Sequence, residues 1–339
     1  GDRIGSLEVG KDADMIVLDG DPLSIYTKVL ETSAPIQPQL RAIDAYNPRD
    51  RLVEWLRELG VTTIHTGHGP GSLVSGQTMV VKTVGDTVED ALMVERAMIA
   101  ANLGSTAYGA SGAAPGTRSK QIAMLREALV NAQNAAAAGS DKDTGKDGDK
   151  PKARNLVEEA MRDVLARKVP LMITAWTERD ILNALRLKAE FNIDVLIDGA
   201  ADAYLVIDQL KQAGVSVILH PPGARQLGGL ANASFATAAA LRDAGVPFTF
   251  QSGYEGYVPK TRVVLWEAAI AAANGLGMED ALKSITIDAA RVIGVADKVG
   301  SLEVGKHGDV VMFEGDPFET TNRVTGVVIE GVVVSEQPR

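Results

Sequence analysis

Between Val169 and Gly253 the chain carries four apolar runs, VPLMIT (169–174), IDVLID (193–198), VSVILH (215–220) and VPFTFQ (246–251), separated by stretches with helical period. Short β-rich runs joined by helical connections predict parallel strands in βα units, because a parallel return needs a crossover of about a dozen residues or more. Four such units in succession lead to a (β/α)8 barrel as the expected fold. In such a barrel the chemistry sits at the C-terminal strand ends. Thr174, Trp176, Asp198, His220, Gln251 and Gly253 are therefore the candidate ligand-pocket residues.

The remaining pattern is read in the same way. ELGVTTIHTGHGPGS (58–72) predicts a strand emptying into a glycine-rich loop with His65 and His68, and TMVVKT (78–83) a further strand with Lys82 as a solvated edge charge. From Val88 to Leu103 the apolar positions keep helical period, and SKQIAMLREALVNAQNAAAA (119–138) predicts a long amphipathic helix behind the PGTR turn. Arg118 in that turn either binds an anion or braces the helix start, and the bracing role is the expectation. The polar, glycine-rich 139–152 stretch reads as a loop, and 153–168 as a second helix leading into VPLMIT.

A repeat frames the whole. GSLEVGKDADMIVLDGDP (5–22) recurs as GSLEVGKHGDVVMFEGDP (300–317), identical at eleven of eighteen positions with a constant offset of 295. Each copy reads as turn, β-run, turn, which is half a β-meander and too little to fold alone. Only the second copy continues into further strands, VTGVVIEGVVV (324–334). Two readings follow: one small β domain built from both termini, or residues 1–32 as the tail of a preceding, similar domain.

Composition narrows the function classes. The chain has 339 residues, 45% of them apolar and 23% charged, which suffices for one barrel and a small satellite domain. A net charge of −10 argues against nucleic acid or an anionic membrane as partner. The absence of cysteine excludes disulfides, thiolate catalysis and Cys-ligated zinc while leaving the compartment open. No apolar run approaches the roughly 20 residues of a membrane-spanning helix.

Residues 35–335 resemble the amidohydrolase superfamily, most closely its imidazolonepropionase-like branch. The resemblance rests on QPQLRAIDAYNPRD followed by GVTT, GPGS, GQ and PGTR. It continues through the VP…T-x-x-D-I-L-x-A-L-R segment and closes with ALKSITIDAARVIGV running into GSLEVGKHGDVVMFEGDPF. It implies a distorted (β/α)8 barrel over 35–296 and a small β-sandwich formed from the terminal segments 1–32 and 297–339. It also implies metal-dependent hydrolysis of C–N bonds other than linear peptide bonds.

The ligand motifs implied by that resemblance depart from the pattern. No H-x-H occurs anywhere in the chain. Where the family reads V-x-V-H-A-H this chain has Leu171-Met172-Ile173-Thr174-Ala175-Trp176, V-H-G-x-E becomes Ile197-Asp198-Gly199-Ala200-Ala201-Asp202, and the last aspartate register falls on Gly253. No cofactor is expected on this basis. The alternative is one or two zinc-type divalent ions in a site rebuilt from His65, His68, Asp198, Asp202 and His220. His307 is expected to be solvent-exposed. The leading functional reading is a catalytically degenerate amidohydrolase-like domain acting as a structural or binding partner of an active relative or of a second copy; the alternative is an active C–N hydrolase. A small-molecule barrel using Trp176, His220, Gln251, Tyr254 and Tyr257 is compatible with the first.

Overall fold

The computed structural model describes residues 35–108, 114–140, 154–253, 261 and 264–336, together with two short paired strands near the N-terminus. Those strands are β1 (Val17–Leu18) and β2 (Val29–Leu30). The rest of the first repeat, most of the 139–152 stretch, Tyr254 and Tyr257 lie outside the described residues.

One seven-stranded sheet organises the molecule. Its strands are β3 (Thr63–Gly67), β4 (Val74–Lys82), β5 (Leu92–Asn102), β6 (Leu171–Ala175), β7 (Val195–Gly199), β8 (Ser216–Leu219) and β9 (Phe248–Phe250), in that spatial order. The first three are antiparallel neighbours, and β5 to β9 run parallel. All four apolar runs predicted as parallel strands are found, adjacent and in sequence order. Among the described residues β3 and β9 are the outer strands, so this sheet is open where a full barrel would close.

Helices α1 (Arg51–Glu58) and α2 (Val88–Ala91) precede the parallel part. Helices α3 (Arg118–Ser140) and α4 (Leu156–Leu165) lie between β5 and β6, and α5 (Glu178–Phe191), α6 (Ile207–Ala213) and α7 (Thr237–Ala244) form the next three crossovers. Then come α8 (Val264–Ala271), α9 (Met278–Ser284) and α10 (Ile287–Val292). Local sequence sets several of these ends. Thr177 caps α5 by accepting from the Asp180 amide, while Asn192, Gly214 and Gly245 end α5, α6 and α7 in the left-handed conformation.

Both faces of the parallel strands are covered, which is why their sequences run apolar without alternation. Ile99, Ile173, Ile197, Val217 and Phe250 face a core made with Leu125, Met161, Ile181, Leu210 and Leu241 of the helices. The alternate residues Met98, Met172, Leu196 and Ile218 face the other way, onto Val292 of α10. Ala290 of that helix, with Val295 and Val299 beyond it, meets Val80 of β4.

The helix expected over Val88–Leu103 is overturned: only Val88–Ala91 is helical, and Leu92–Asn102 is strand β5, an interior strand of the sheet. A strand buried on both faces shows no alternation, so its apolar spacing also satisfies a helical template, and pairing with β4 and β6 decides. Lys82 corrects the sequence reading too. It is not a solvated edge charge; it is buried and ion-paired with buried Asp309.

Asp309 opens the second sheet, β10 (Val310–Phe313), β11 (Val324–Ile329) and β12 (Val332–Ser335), antiparallel in that order. Its inner side, Val311, Phe313, Val324, Val327 and Ile329, packs on Val84. The pair β1–β2 is a sheet of its own, with Leu18 opposite Val29. Adding the repeat offset to those two residues gives Phe313 and Val324, which are partners in β10–β11. The other pair departs from this register: Val17 and Leu30 map onto Met312 and Thr325, whereas Met312 pairs with Gly326 across a register shift. Among the described residues no strand pairing joins β1–β2 to β10–β12. No helix among them is long and apolar enough to cross a membrane.

The buried pair gives a stability test. Lys82→Met strands the Asp309 carboxylate in the interior and should cost about 3–5 kcal/mol in urea unfolding, whereas Lys82→Met combined with Asp309→Leu should cost clearly less. Equal losses in the two variants would mean that packing, not charge, governs this contact.

Candidate functional site

Strand register sets one row of side chains level across the sheet. Asn102, Thr174, Asp198 and Ile218 are successive Cα partners on β5 to β8. Asn102, Thr174 and Asp198 share the face of Ala100, Met172 and Leu196, two residues further along each strand toward its C-terminal end. Apolar packing fills the lower part of that face, and a polar row closes its upper end.

Asp198 is the centre of the row. It is 1% exposed, and Thr174 Oγ1 donates to its Oδ2 and Gln251 Nε2 to its Oδ1, each at 2.7 Å. Asn102 is tied away from it, its Nδ2 donating to the Ser72 carbonyl at 2.6 Å and to Ser75 Oγ at 2.8 Å.

His220 follows β8, and its amide donates to the Gly199 carbonyl. Its ring is buried, with Nδ1 2.9 Å from the Pro221 carbonyl and no partner for Nε2 among the described residues. A carbonyl only accepts, so Nδ1 carries the proton and Nε2 is a bare acceptor. Burial pushes the His220 imidazole down from its ordinary value, which favours this neutral form.

Trp176 leaves the end of β6 and packs between two glycines. A Cβ at Gly199, where φ is +83°, would lie 2.9 Å from its Cε3, and one at Gly229 would lie 2.7 Å from its Cβ. Only glycine accepts both that backbone conformation and that approach. Gly253, also at positive φ, brings no side chain and faces Pro221. Asp202 caps α5, its Oδ2 accepting from the Glu178 amide at 3.0 Å, while its buried Oδ1 has no partner.

The structure brings Thr174, Asp198, His220 and Gln251 together and places Trp176 and Asp202 at the rim. It does not bring the other candidate ligands to them. His65 is level with Val80, which pairs with Val94, eight residues before Asn102 along β5. At ~3.3 Å per residue that is roughly 26 Å below the polar row. His65 Nε2 instead lies 2.7 Å from Thr78 Oγ1, and burial lowers its pKa to about 4. His68 lies over Gly76, where a Cβ would sit 2.4 Å from its ring. His307 is half-buried, not exposed as expected, with Nδ1 3.1 Å from Glu330 Oε1. Arg118 braces: it clamps the Asp180 carboxylate through Nε (2.7 Å) and Nη2 (3.1 Å), joining the starts of α3 and α5.

Two contributors were not legible in the sequence. Asn102 was hidden by the helical reading of β5. Glu267 is buried on α8 and accepts from the Gly223 amide at 2.7 Å, holding the loop after His220; no motif announces it.

Residues 62–334 match the amidohydrolase family. The chain belongs to that family. Within it the chain is imidazolonepropionase-like: it is 31% identical over 137 residues to the imidazolonepropionase of Shouchella clausii, covering 38% of this chain and 30% of that protein. It is also 31% identical over 140 residues to that of Brevibacillus brevis, covering 39% and 32%. The match thus spans about a third of the length of these curated relatives. The crystal structure of an amidohydrolase from Thermotoga maritima MSB8 superposes with a TM-score of 0.84 at 27% identity, over 90% of this chain and 80% of that one.

Family membership implies a divalent metal at the strand ends, and the residues present do not fit one. Among the described residues no three His, Asp or Glu side chains converge to hold an ion. The side chains bonded to Asp198 are a threonine and a glutamine, and a metal site needs three or more protein ligands.

The neutral histidines set a pH dependence. With folded pKa values below the unfolded ones, His65 and His220 contribute stability that is fully present above about pH 6.5 and weakens as pH falls below it, for His65 toward about 4. Urea midpoints of His65→Gln should therefore fall less steeply across this window than those of the native chain; parallel curves would assign the acid sensitivity elsewhere.

Proposed function

We propose that this chain is a catalytically degenerate member of the amidohydrolase family that binds or packs rather than hydrolyses, as partner of an active relative. The observation that carries this reading is the state of Asp198. Its carboxylate is held by a threonine and a glutamine where metal-dependent hydrolysis needs a cluster of ligands around an activated water. Thr174 and Trp176 stand where the resemblance would put histidines, and the indole packs against Gly199 beside the Asp198 strand end.

In this reading residues 35–296 form a distorted (β/α)8 barrel and 297–339 a β-sandwich segment; the likeness to the Thermotoga amidohydrolase supports that architecture. The partner is a preceding domain of the same family, of which residues 1–32 are the end. The sequence repeat supports this, because it makes the first copy equivalent to the closing segment of such a domain.

Elemental analysis of the purified chain should find well under one equivalent of zinc, manganese or iron, and assays with hydantoins, lactams or imidazolones should stay at background with added metal. One or two tightly held ions per chain, with turnover abolished by Asp198→Ala or His220→Ala, would overturn the proposal. The partner is tested separately: joining the chain to its natural upstream sequence should slow amide exchange at Val17, Leu18, Val29 and Leu30, and unchanged exchange would remove the tandem-domain part.

A further inference from the structure

Two acceptors at the polar row face the interior without donors. Leu219 and Phe250 are partners on β8 and β9, and the Gln251 amide donates to the Leu219 carbonyl at 2.9 Å, so the following residues His220 and Gln251 are neighbours. Both lie on the alternation of Ile218 and Thr249, so both side chains belong to the face that carries Asp198. The Gln251 amide orientation is fixed by chemistry: a carboxylate only accepts, so the NH2 group meets Asp198 and Oε1 is left as the acceptor. Gln251 Oε1 and His220 Nε2 are both buried and unpartnered among the described residues. His220 is 1% exposed, while Gln251 is half-buried and marks the open side of the pair.

Buried polar atoms are rarely left without partners, and such an atom in a native structure calls for a ligand or an ordered water. This pair asks for donors only. A group that would accept, such as a carboxylate or phosphate, meets two lone pairs and a nearby carboxylate and is repelled. A planar cation with parallel N–H bonds matches both lone pairs at once, and the Asp198 charge behind Gln251 favours it.

We propose that His220 Nε2 and Gln251 Oε1 form a binding site for an amidinium or guanidinium group, which donates one N–H to each. This deepens the non-hydrolytic reading and rests on it, since a metal at the same strand ends would take the Nε2 lone pair. Trp176 packs on Gly199, whose carbonyl accepts from the His220 amide, at the same end of the sheet.

The test uses the full chain, first shown metal-free by elemental analysis, with acetamidine as probe. Long-range proton–nitrogen spectra of the histidine rings, assigned by single substitution, should show His220 with a bare Nε2 whose resonance moves saturably on adding acetamidine. Tetramethylammonium, equally charged but without N–H, should leave it unmoved. His220→Phe should weaken acetamidine binding roughly tenfold or more in calorimetry; if that variant does not fold, the native resonance decides alone. A proton on Nε2, no response to acetamidine, an equal response to tetramethylammonium, or occupancy by water only would each overturn the proposal. Those failures leave the non-hydrolytic reading standing, whereas a chain that arrives with metal on His220 removes both.

Discussion

A carboxylate removed from water must be given donors, and the site of this protein is arranged around that requirement at Asp198. Burying an ionised carboxylate without hydrogen bonds costs far more than the net stability of a domain allows. The fold answers with Thr174 from the neighbouring strand and Gln251 from two strands away. The consequence reaches into chemistry. The glutamine that supplies one of those donors is left with its carbonyl oxygen without a donor among the described residues.

That arrangement depends on a sheet whose two faces are used differently. One face is a continuous hydrophobic core against the crossover helices; the other is apolar only as far as Val292 of α10 reaches. Beyond it the alternation that elsewhere places Met172 and Leu196 inside places Thr174 and Asp198 instead. Strand period therefore makes the polar row, and no loop rearrangement is needed to assemble it. The second sheet is fixed to this body by the buried Lys82–Asp309 contact, and the same aspartate accepts from the Glu330 amide at 3.0 Å. The aspartate of the repeated G-K-x-x-D motif is thus a joint between sheets. In the first copy the corresponding residue is Asp14, so the motif is retained there.

Much of the molecule was legible in the chain itself. The four apolar runs gave the parallel strands because crossover length forces that pairing, the D-I-L segment gave α5, and the VTGVVIEGVVV run gave the closing hairpin. The strand-end rule also found Thr174, Asp198, His220 and Gln251 before any contact was known. These are local or short-range properties, set by the period of apolar residues, by capping chemistry and by reach.

What only the tertiary structure decided is which groups meet. Lys82 reads as an edge charge until Asp309, 227 positions later, closes over it. Leu92–Asn102 reads as a helix until β4 and β6 pair with its two edges. His65 reads as a companion of Asp198 until strand register sets it near the far end of β4. Apolar periodicity is a one-dimensional signal and carries no information on partners distant in the chain; desolvation, ion pairing and donor–acceptor matching are properties of those partners, so they appear only once the sheet is assembled.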